Sequence, residues 1–382
     1  MRVTIFMCVA LVCACANCLN PAGRFNTAAA FTPAAAWQQR EAAIIPLEGL
    51  DPVLLAGGKE AQGDEQFSVT RGRFRYLFAG ADTKAAFEKE PGRYEIQLGG
   101  SCARMGPTVR GNPDLFLIHE GRIYIFGSQE CVTTFKAKPE NFLDAAAAAP
   151  ATPVSEGAKK RGRALVEKAV EAAGGAARVD GLASYQEKGA AGSRQGAAGI
   201  KTALLMLFPG KTRLEQTYQF GTVATVVAPG VGFYVTPRGA GDLLDVQRDA
   251  YEDQFMRSPL SILRARRDAE FAAVGAAKVG GTPVEQVDAT VGRVRVRLGI
   301  DPATGRILTL AYRGRGSNGA LGQIVRAFSD FRAVGGLTLP FKTDGVFDGE
   351  TDPTLTSTAE SIVVNADVAP ALFERPKPAV VQ

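Results

Sequence analysis

Histidine is almost missing from this chain: His119 is the only one in 382 residues. Nucleophilic relays of the Ser-His-Asp kind need an imidazole within hydrogen-bond reach of the nucleophile. The pair Ser329–Asp330 in "FSDF" therefore has only His119, in the other expected domain, to serve as a base, which argues against such a triad. Tryptophan is equally scarce, with Trp37 alone. A net charge of +5 is reached without any long Lys/Arg block. The densest basic run, "KKRGR" at 159–163, opens a helical pattern and reads as a solvated helix start, so no nucleic-acid partner is expected. Carboxylates are plentiful but form no distinctive pair of the glycosidase kind. Cysteine is confined as well. Of six, Cys8, Cys13, Cys15 and Cys18 crowd the first 18 residues, which leaves Cys102 and Cys131 for any thiol chemistry in the body of the chain.

Residues 1–18 read as an export signal. Arg2 is a minimal basic region, "VTIFMCVALVCACA" is an apolar run too short to span a bilayer, and Ala14 and Ala16 form an A-x-A site for cleavage after Ala16. In a competing reading Cys15 is lipidated, which gives membrane contact through a lipid anchor only. Cys18 fits that pattern less well. Either way the body is exported, to the periplasm or the envelope surface, where a disulfide between Cys102 and Cys131 would persist.

The next break in composition is at 19–46, an Ala/Asn/Thr/Pro-rich flexible tether, and another is the Ala/Pro linker "DAAAAAPATPVSEGA" at 144–158. The fold class expected is α+β: a small domain at 47–143, a larger domain at 159–376 and a short tail at 377–382. Within the first, "FAGADTKAAFEKEPGRY" (78–94) and "FGSQECVTTFKAKPENF" (126–142) share the pattern F-x8-F-x3-P-x2-aromatic, offset by 48 residues. Each follows an alternating hairpin and reads as a short helix, capped by Asp82 or Ser128 and stopped by Pro91 or Pro139. Two such hairpin–helix half-repeats, each closing an aromatic core, would bury more apolar surface together than apart.

"GLDPVLLAGG", the hairpin ending in Phe78, the helix with Phe87, Pro91 and Tyr94, and the turn Gly99-Gly100-x-Cys102-Ala103 together resemble the exported branch of the YHS domain family, as does the later "EGRIYIF". The resemblance covers about 47–143 and implies an interaction or metal-sensing module. Cys102, Cys131 and His119 are the candidate ligands, for zinc or monovalent copper. Their spacings of 17 and 12 residues match no tight metal knuckle, and a disulfide or two inert thiols remain the alternatives. The Tyr-His-Ser unit that names the family is absent.

From 159 to 376 the chain alternates apolar and polar residues between Gly, Pro, Asn and Asp turns. Two helical patterns interrupt it, "ALVEKAVEAAGG" and "MRSPLSILRARRDAEFAAV" (256–274). Two helices are too few for a doubly wound sheet, so a curved antiparallel sheet with covering helices is expected. The order of pieces ("FPGKTRLEQTY", "PGVGFYVTP", "DPATGRILTLAYRG", "FSDFRAVGGLTLPFK") is similar to the LolA/LolB-like family of periplasmic lipoprotein carriers. This implies a half-barrel with a helical lid over a hydrophobic cavity. Candidate lining residues are Leu204, Leu205, Leu207, Phe220, Phe233, Leu263 and Phe328. The family's lid-securing arginine has no single match among Arg264, Arg266 and Arg267. "GRGSNG" at 314–319 satisfies G-x-G-x-x-G but lies between two strands, with no βαβ unit around it.

These readings converge on an exported, non-catalytic binding protein whose one candidate cofactor is zinc or copper. Its partners would be a hydrophobic small molecule or a lipidated protein, and an envelope protein through the first domain. The alternatives are a soft-metal chaperone using Cys102 and Cys131, or a structural envelope scaffold.

Overall fold

Residues 43–143, 154–193, 199–279 and 281–376 are described by the computed structural model. The expectations for the export segment, Cys15, nearly all of the tether, most of the linker and the tail lie outside the described residues.

In the N-terminal part the first turn is organised by a carboxylate. Asp51, fully buried, accepts hydrogen bonds from the backbone N–H of Val53 and Leu54 at the start of α1 (Pro52–Ala56), and from Ala79 N–H after the following hairpin. That hairpin is β1 (Asp64–Arg71) and β2 (Phe74–Phe78), and it leads to α2 (Ala81–Lys89) and α3 (Pro91–Tyr94). Pro91 opens α3 at its first position, where a missing N–H costs nothing. α2 is preceded by Gly80 and has no side-chain cap, so Asp82 sits inside its first turn. After β3 (Ser101–Cys102) and β4 (Gly106–Arg110), a second hairpin forms from β5 (Asn112–His119) and β6 (Arg122–Phe126) and is followed by α4 (Gln129–Ala137). Its turn, Glu120-Gly121, has positive φ at both residues, the twist a two-residue hairpin needs. Ser128 caps α4 by accepting from Cys131 N–H.

β6 is the shared wall of two cores. Its alternation sends Ile123 and Ile125 to one side, with Phe78, Phe87 and Leu47, and Tyr124 and Phe126 to the other, with Phe135, Phe142 and Cys131. The two helix-on-hairpin contacts have nearly the same geometry. Phe78–Phe87 and Phe126–Phe135 both meet edge to face with ring centroids 5.1 Å apart.

The C-terminal part begins with α5 (Glu156–Ala172), capped by Ser155, and α6 (Ala176–Asp180). Gly162 lets α5 lie close on the sheet: a Cβ there would fall 2.8 Å from the backbone nitrogens of Ala272 and Ala273. The strands are β7 (Ser184–Ala191), β8 (Ile200–Leu207), β9 (Lys211–Tyr218), β10 (Gly221–Ala228), β11 (Val231–Thr236) and β12 (Gly239–Asp242). Two helices, α7 (Asp245–Met256) and α8 (Pro259–Arg264), intervene. Then follow β13 (Glu270–Val279), β14 (Thr282–Val291), β15 (Val294–Ile300), β16 (Ile307–Arg315), β17 (Leu321–Val334), β18 (Leu337–Phe347), β19 (Glu350–Thr351) and β20 (Ser357–Val364). They make one antiparallel, 14-stranded open sheet, ordered β12-β11-β10-β9-β8-β7-β20-β18-β17-β16-β15-β14-β13, with β19 paired to β18.

The stretch 256–274, expected as one helix, is divided. α8 ends at Arg264, and Glu270–Val279 is a strand paired antiparallel with β14. Arg264, Arg266 and Arg267 all converge on the end of α6. Arg266 and Arg267 hold the Asp180 carboxylate at 2.6 and 2.8 Å, and Arg264 donates to the Asp180 carbonyl at 2.6 Å. No helix among the described residues is long and apolar enough to cross a membrane.

Candidate functional site

Helices α5, α7 and α8 do not fill the face of the sheet they cover. A cavity of about 830 Å³ remains between them and strands β7, β8, β16, β17, β18 and β20. That volume is in the range of small-molecule sites. Much of the wall is apolar, with Leu204, Met206, Leu263, Phe328, Leu339 and Phe341 among its residues. The N-terminal part contributes Met105, Pro107 and Thr108 from the β4 region. It is held there by Gln247 of α7, which donates to the Thr108 carbonyl at 3.1 Å, and by Arg315, which donates to the carbonyls of Arg104 at 3.1 Å and Phe142 at 2.8 Å.

Of the seven residues expected to line a cavity, Leu204, Leu263 and Phe328 do so. Leu205, Leu207 and Phe233 lie on the opposite face of the sheet, in a core closed by Phe373 and Leu372. The cause is the two-residue period of a strand: Leu204 and Met206 face the cavity, so Leu205 and Leu207 must face away. Phe220 is in the β9–β10 turn, 68% exposed, and stacks on Tyr218 with centroids 5.1 Å apart.

Polar residues within the wall were not anticipated. Arg326 of β17 projects into the cavity between Ile324 and Phe328 on the same face. Burial pulls its pKa below the usual arginine range, and Tyr312 and Glu187 are the groups whose fields oppose that shift. Glu187 accepts a hydrogen bond from the Tyr185 hydroxyl, and burial drives the pKa of that phenol well up. Arg257, at the end of α7, lies over the Tyr312 ring with its guanidinium carbon 4.6 Å from the centroid. The Nε atoms of Arg257 and Arg326 are buried without a hydrogen-bond partner. The signal was present in "QIVRAF": an arginine at the parity of apolar Ile324 and Phe328, where a solvated arginine would take the other parity.

The second candidate site holds two thiols. Cys102 in β3 and Cys131 in the first turn of α4 are buried, free and near enough for each to act on the other's titration. Burial pushes the Cys131 thiol up, but three donors to its sulfur bring it below the ordinary value: the Ser128 hydroxyl at 3.4 Å, the Arg104 guanidinium at 3.8 Å, and Cys102. Cys102 shifts the other way, raised by burial and by the charge of Cys131, and only partly relieved by the backbone N–H groups of Met105 and Gly127. Arg104 also pairs with Glu130 at 3.1 Å. His119 does not join them. It ends β5, packs edge-on against Phe135 at 5.9 Å and faces Glu120 at 4.0 Å. Among the described residues no group of three or more His, Cys, Asp or Glu side chains is arranged to hold a metal ion.

No family model matches the chain, and no curated protein matches it. Solved structures show loose similarity. A LolA superfamily protein from Nitrosomonas europaea is 11% identical, with 56% of this chain and 97% of that one covered and a TM-score of 0.40. A DUF1329 family protein from Desulfovibrio piger is 16% identical, with 57% and 97% covered and a TM-score of 0.33. MucB is 15% identical, with 57% and 63% covered and a TM-score of 0.23. Similarities this loose carry no inference about activity.

Proposed function

We propose that the chain is an exported, non-catalytic binding protein of the cell envelope, and that its C-terminal domain holds an acyl-type hydrophobic ligand in the cavity under α5, α7 and α8. The observation that carries this reading is the cavity itself. About 830 Å³ is left open in the middle of an otherwise buried apolar face, where ordinary core packing leaves few voids larger than a water molecule. An open sheet faced by helices on one side supports the finer, LolA-like half-barrel reading, and the order of sequence motifs supports it independently. In the same reading the YHS-like domain walls one end of the cavity and acts as an interaction module.

The test is direct. Full-length protein purified from the compartment it is exported to is extracted with organic solvent, and the extract is analysed by mass spectrometry. The delipidated protein is then titrated with a fluorescent polyene fatty acid. Recovery of stoichiometric acyl ligand, or saturable uptake, is expected; neither would occur if the cavity were merely a packing gap.

A second reading concerns the thiol pair. Two neighbouring buried thiols, one of them held toward its anionic form by Arg104 and Ser128, fit a two-coordinate monovalent copper ion. Cys102 and Cys131 would hold it without His119. Titration of the reduced protein with monovalent copper against a competing chelator should show one equivalent bound, and none in the Cys102→Ser variant. Quantitative loss of free thiol in exported material would instead identify the pair as a disulfide.

A further inference from the structure

Four arginines (Arg257, Arg306, Arg315, Arg326) and two carboxylates (Glu187, Asp253) line the cavity. Asp253 pairs with Arg293 at 3.1 Å, while Glu187 accepts from the Tyr185 hydroxyl and reaches Arg326 only through its field, without an ion pair within 4 Å. Arg315 is spent on three carbonyls, those of Arg104, Gly319 and Phe142. Arg306 lies over the Phe331 ring at 5.1 Å, as Arg257 lies over Tyr312 and Arg326 over Phe328. Arg257 and Arg326 differ in burial. Their Nε atoms are sealed in without a hydrogen-bond partner, and among the described residues neither guanidinium has an ion-pair partner within 4 Å.

The two meet at Tyr312. Arg257 stacks on its ring from α7, and Arg326 stands on the adjacent strand, where Tyr312 pairs with Ile324 two residues before it. An apolar wall on β8, β17 and β18 continues from this cluster, through Leu204, Phe328 and Phe341.

Unpaired buried charge is unfavourable, and chains ordinarily avoid it or pair it. Two guanidiniums without ion-pair partners in an apolar-walled cavity are therefore a charge pattern awaiting its complement. Guanidinium is the side chain best matched to carboxylate and phosphate oxygens, through parallel N–H donors. We propose that the cavity binds an amphiphile with one anionic headgroup, a carboxylate or a phosphate, seated at the Tyr312 end by Arg326 and Arg257 with its chain along the apolar wall. This deepens the carrier reading and rests on it. It adds the class of ligand and the end of the cavity at which the headgroup sits. An uncharged lipid of equal length would fill the same wall and leave both arginines unanswered.

The experiment compares three probes of one chain length on delipidated full-length protein at pH 7.5: palmitate, hexadecyl phosphate and hexadecanol. Binding is followed by displacement of a neutral fluorescent probe. At least one of the two anions is expected to bind about 10- to 100-fold tighter than the alcohol, the size of a charge-assisted hydrogen-bond contribution, and which of them gains more separates a fatty-acid from a phospholipid source. In Arg326→Met and, separately, Arg257→Met the anions should fall toward the alcohol while the alcohol itself is unchanged. Folding of each variant is checked by its thermal transition. The wild-type comparison needs no variant, so it decides even if a variant does not fold. Equal binding of all three probes would overturn the headgroup assignment and leave the carrier reading standing. No binding of any probe would overturn the carrier reading and this one with it.

Discussion

Arg326 should make the empty protein less stable than it would be without the charge. Replacing a buried ion pair by apolar side chains of similar volume is commonly neutral or stabilising by about 1–4 kcal/mol, because desolvation outweighs what the charges recover inside, and a guanidinium without an ion-pair partner recovers less still. Here three things reduce the gain. The Phe328 face, 5.9 Å from the guanidinium carbon, returns about 0.5–1 kcal/mol. Glu187 attracts Arg326 across the cavity, and the end of the side chain that opens on the cavity keeps some hydration. About 1 kcal/mol remains in favour of Arg326→Met, equivalent to a rise of about 2–4 °C in Tm for a part of this size. The assay is urea and thermal unfolding of delipidated protein, with the m-value required to stay constant. Saturating palmitate should then reverse the order: at a hundredfold excess over Kd a ligand adds about 2.7 kcal/mol to the wild type, and the variant should gain clearly less. A variant destabilised by about 1 kcal/mol or more in the empty state would refute the reasoning, since it would mean that Arg326 supports the fold.

Three further outcomes follow from other sites. Asp51→Ala leaves three backbone N–H groups at Val53, Leu54 and Ala79 without their acceptor and should cost about 2–4 kcal/mol in chemical denaturation of the N-terminal part. A loss under 0.5 kcal/mol would contradict the cap. Asp180→Asn uncouples α6 from nearly buried Arg266 and should cost about 1–3 kcal/mol, the exposed side of the carboxylate reducing the effect. The Arg266 hydrogen bond, ahead of opposing burial, lowers the Asp180 carboxyl, so its stabilisation is complete above the unfolded-state value near pH 4 and disappears as pH falls through the lower folded value. Unfolding curves of wild type and Asp180→Asn should therefore converge in acid, and a constant gap down to pH 2 would count against the pairing. At the thiols, iodoacetamide should label Cys131 before Cys102, with a rate midpoint below the ordinary thiol value that Arg104→Ala shifts upward. Peptide mapping that finds Cys102 modified first would reverse the assignment.

The sequence carries local grammar better than it carries faces. The caps Ser128 and Ser155, the Glu120-Gly121 turn and the paired Phe–Phe contacts are all written in short windows, because each depends on residues a few positions apart. α7 is hard to read because "DVQRDAYEDQFM" is polar on most sides. Its signals were the spacing of Tyr251 and Phe255 and the ladder of Arg248 with Asp245 and Glu252. The stretch "AEFAAV" reads as helix by composition, yet it forms β13 because β14 offers it a partner, and a pairing of that kind is non-local. For the cavity, hydrophobicity alone mixed both parities of β8, so Leu204 was grouped with Leu205 and Leu207. Alternation separates them once the side under the helices is known. Arg326 is hard to read for the opposite reason: charge alone does not separate it from Arg264 at the end of α8 and Arg266 and Arg267 after it, which clamp the end of α6.

Arg315 has a consequence of a thermodynamic kind. One side chain carries a wall of the cavity and, through the Arg104 and Phe142 carbonyls, holds the loop whose arginine touches Cys131. Met105 of that loop and Pro107 and Thr108 of the adjoining β4 form part of the lining. Occupancy of the cavity and the chemical state of the thiols are then two variables of a single free-energy function. Whatever one does to the affinity of the other is returned in equal measure. A reversible ligand of the thiols, such as monovalent copper, and a ligand of the cavity should then change each other's affinity by one common factor.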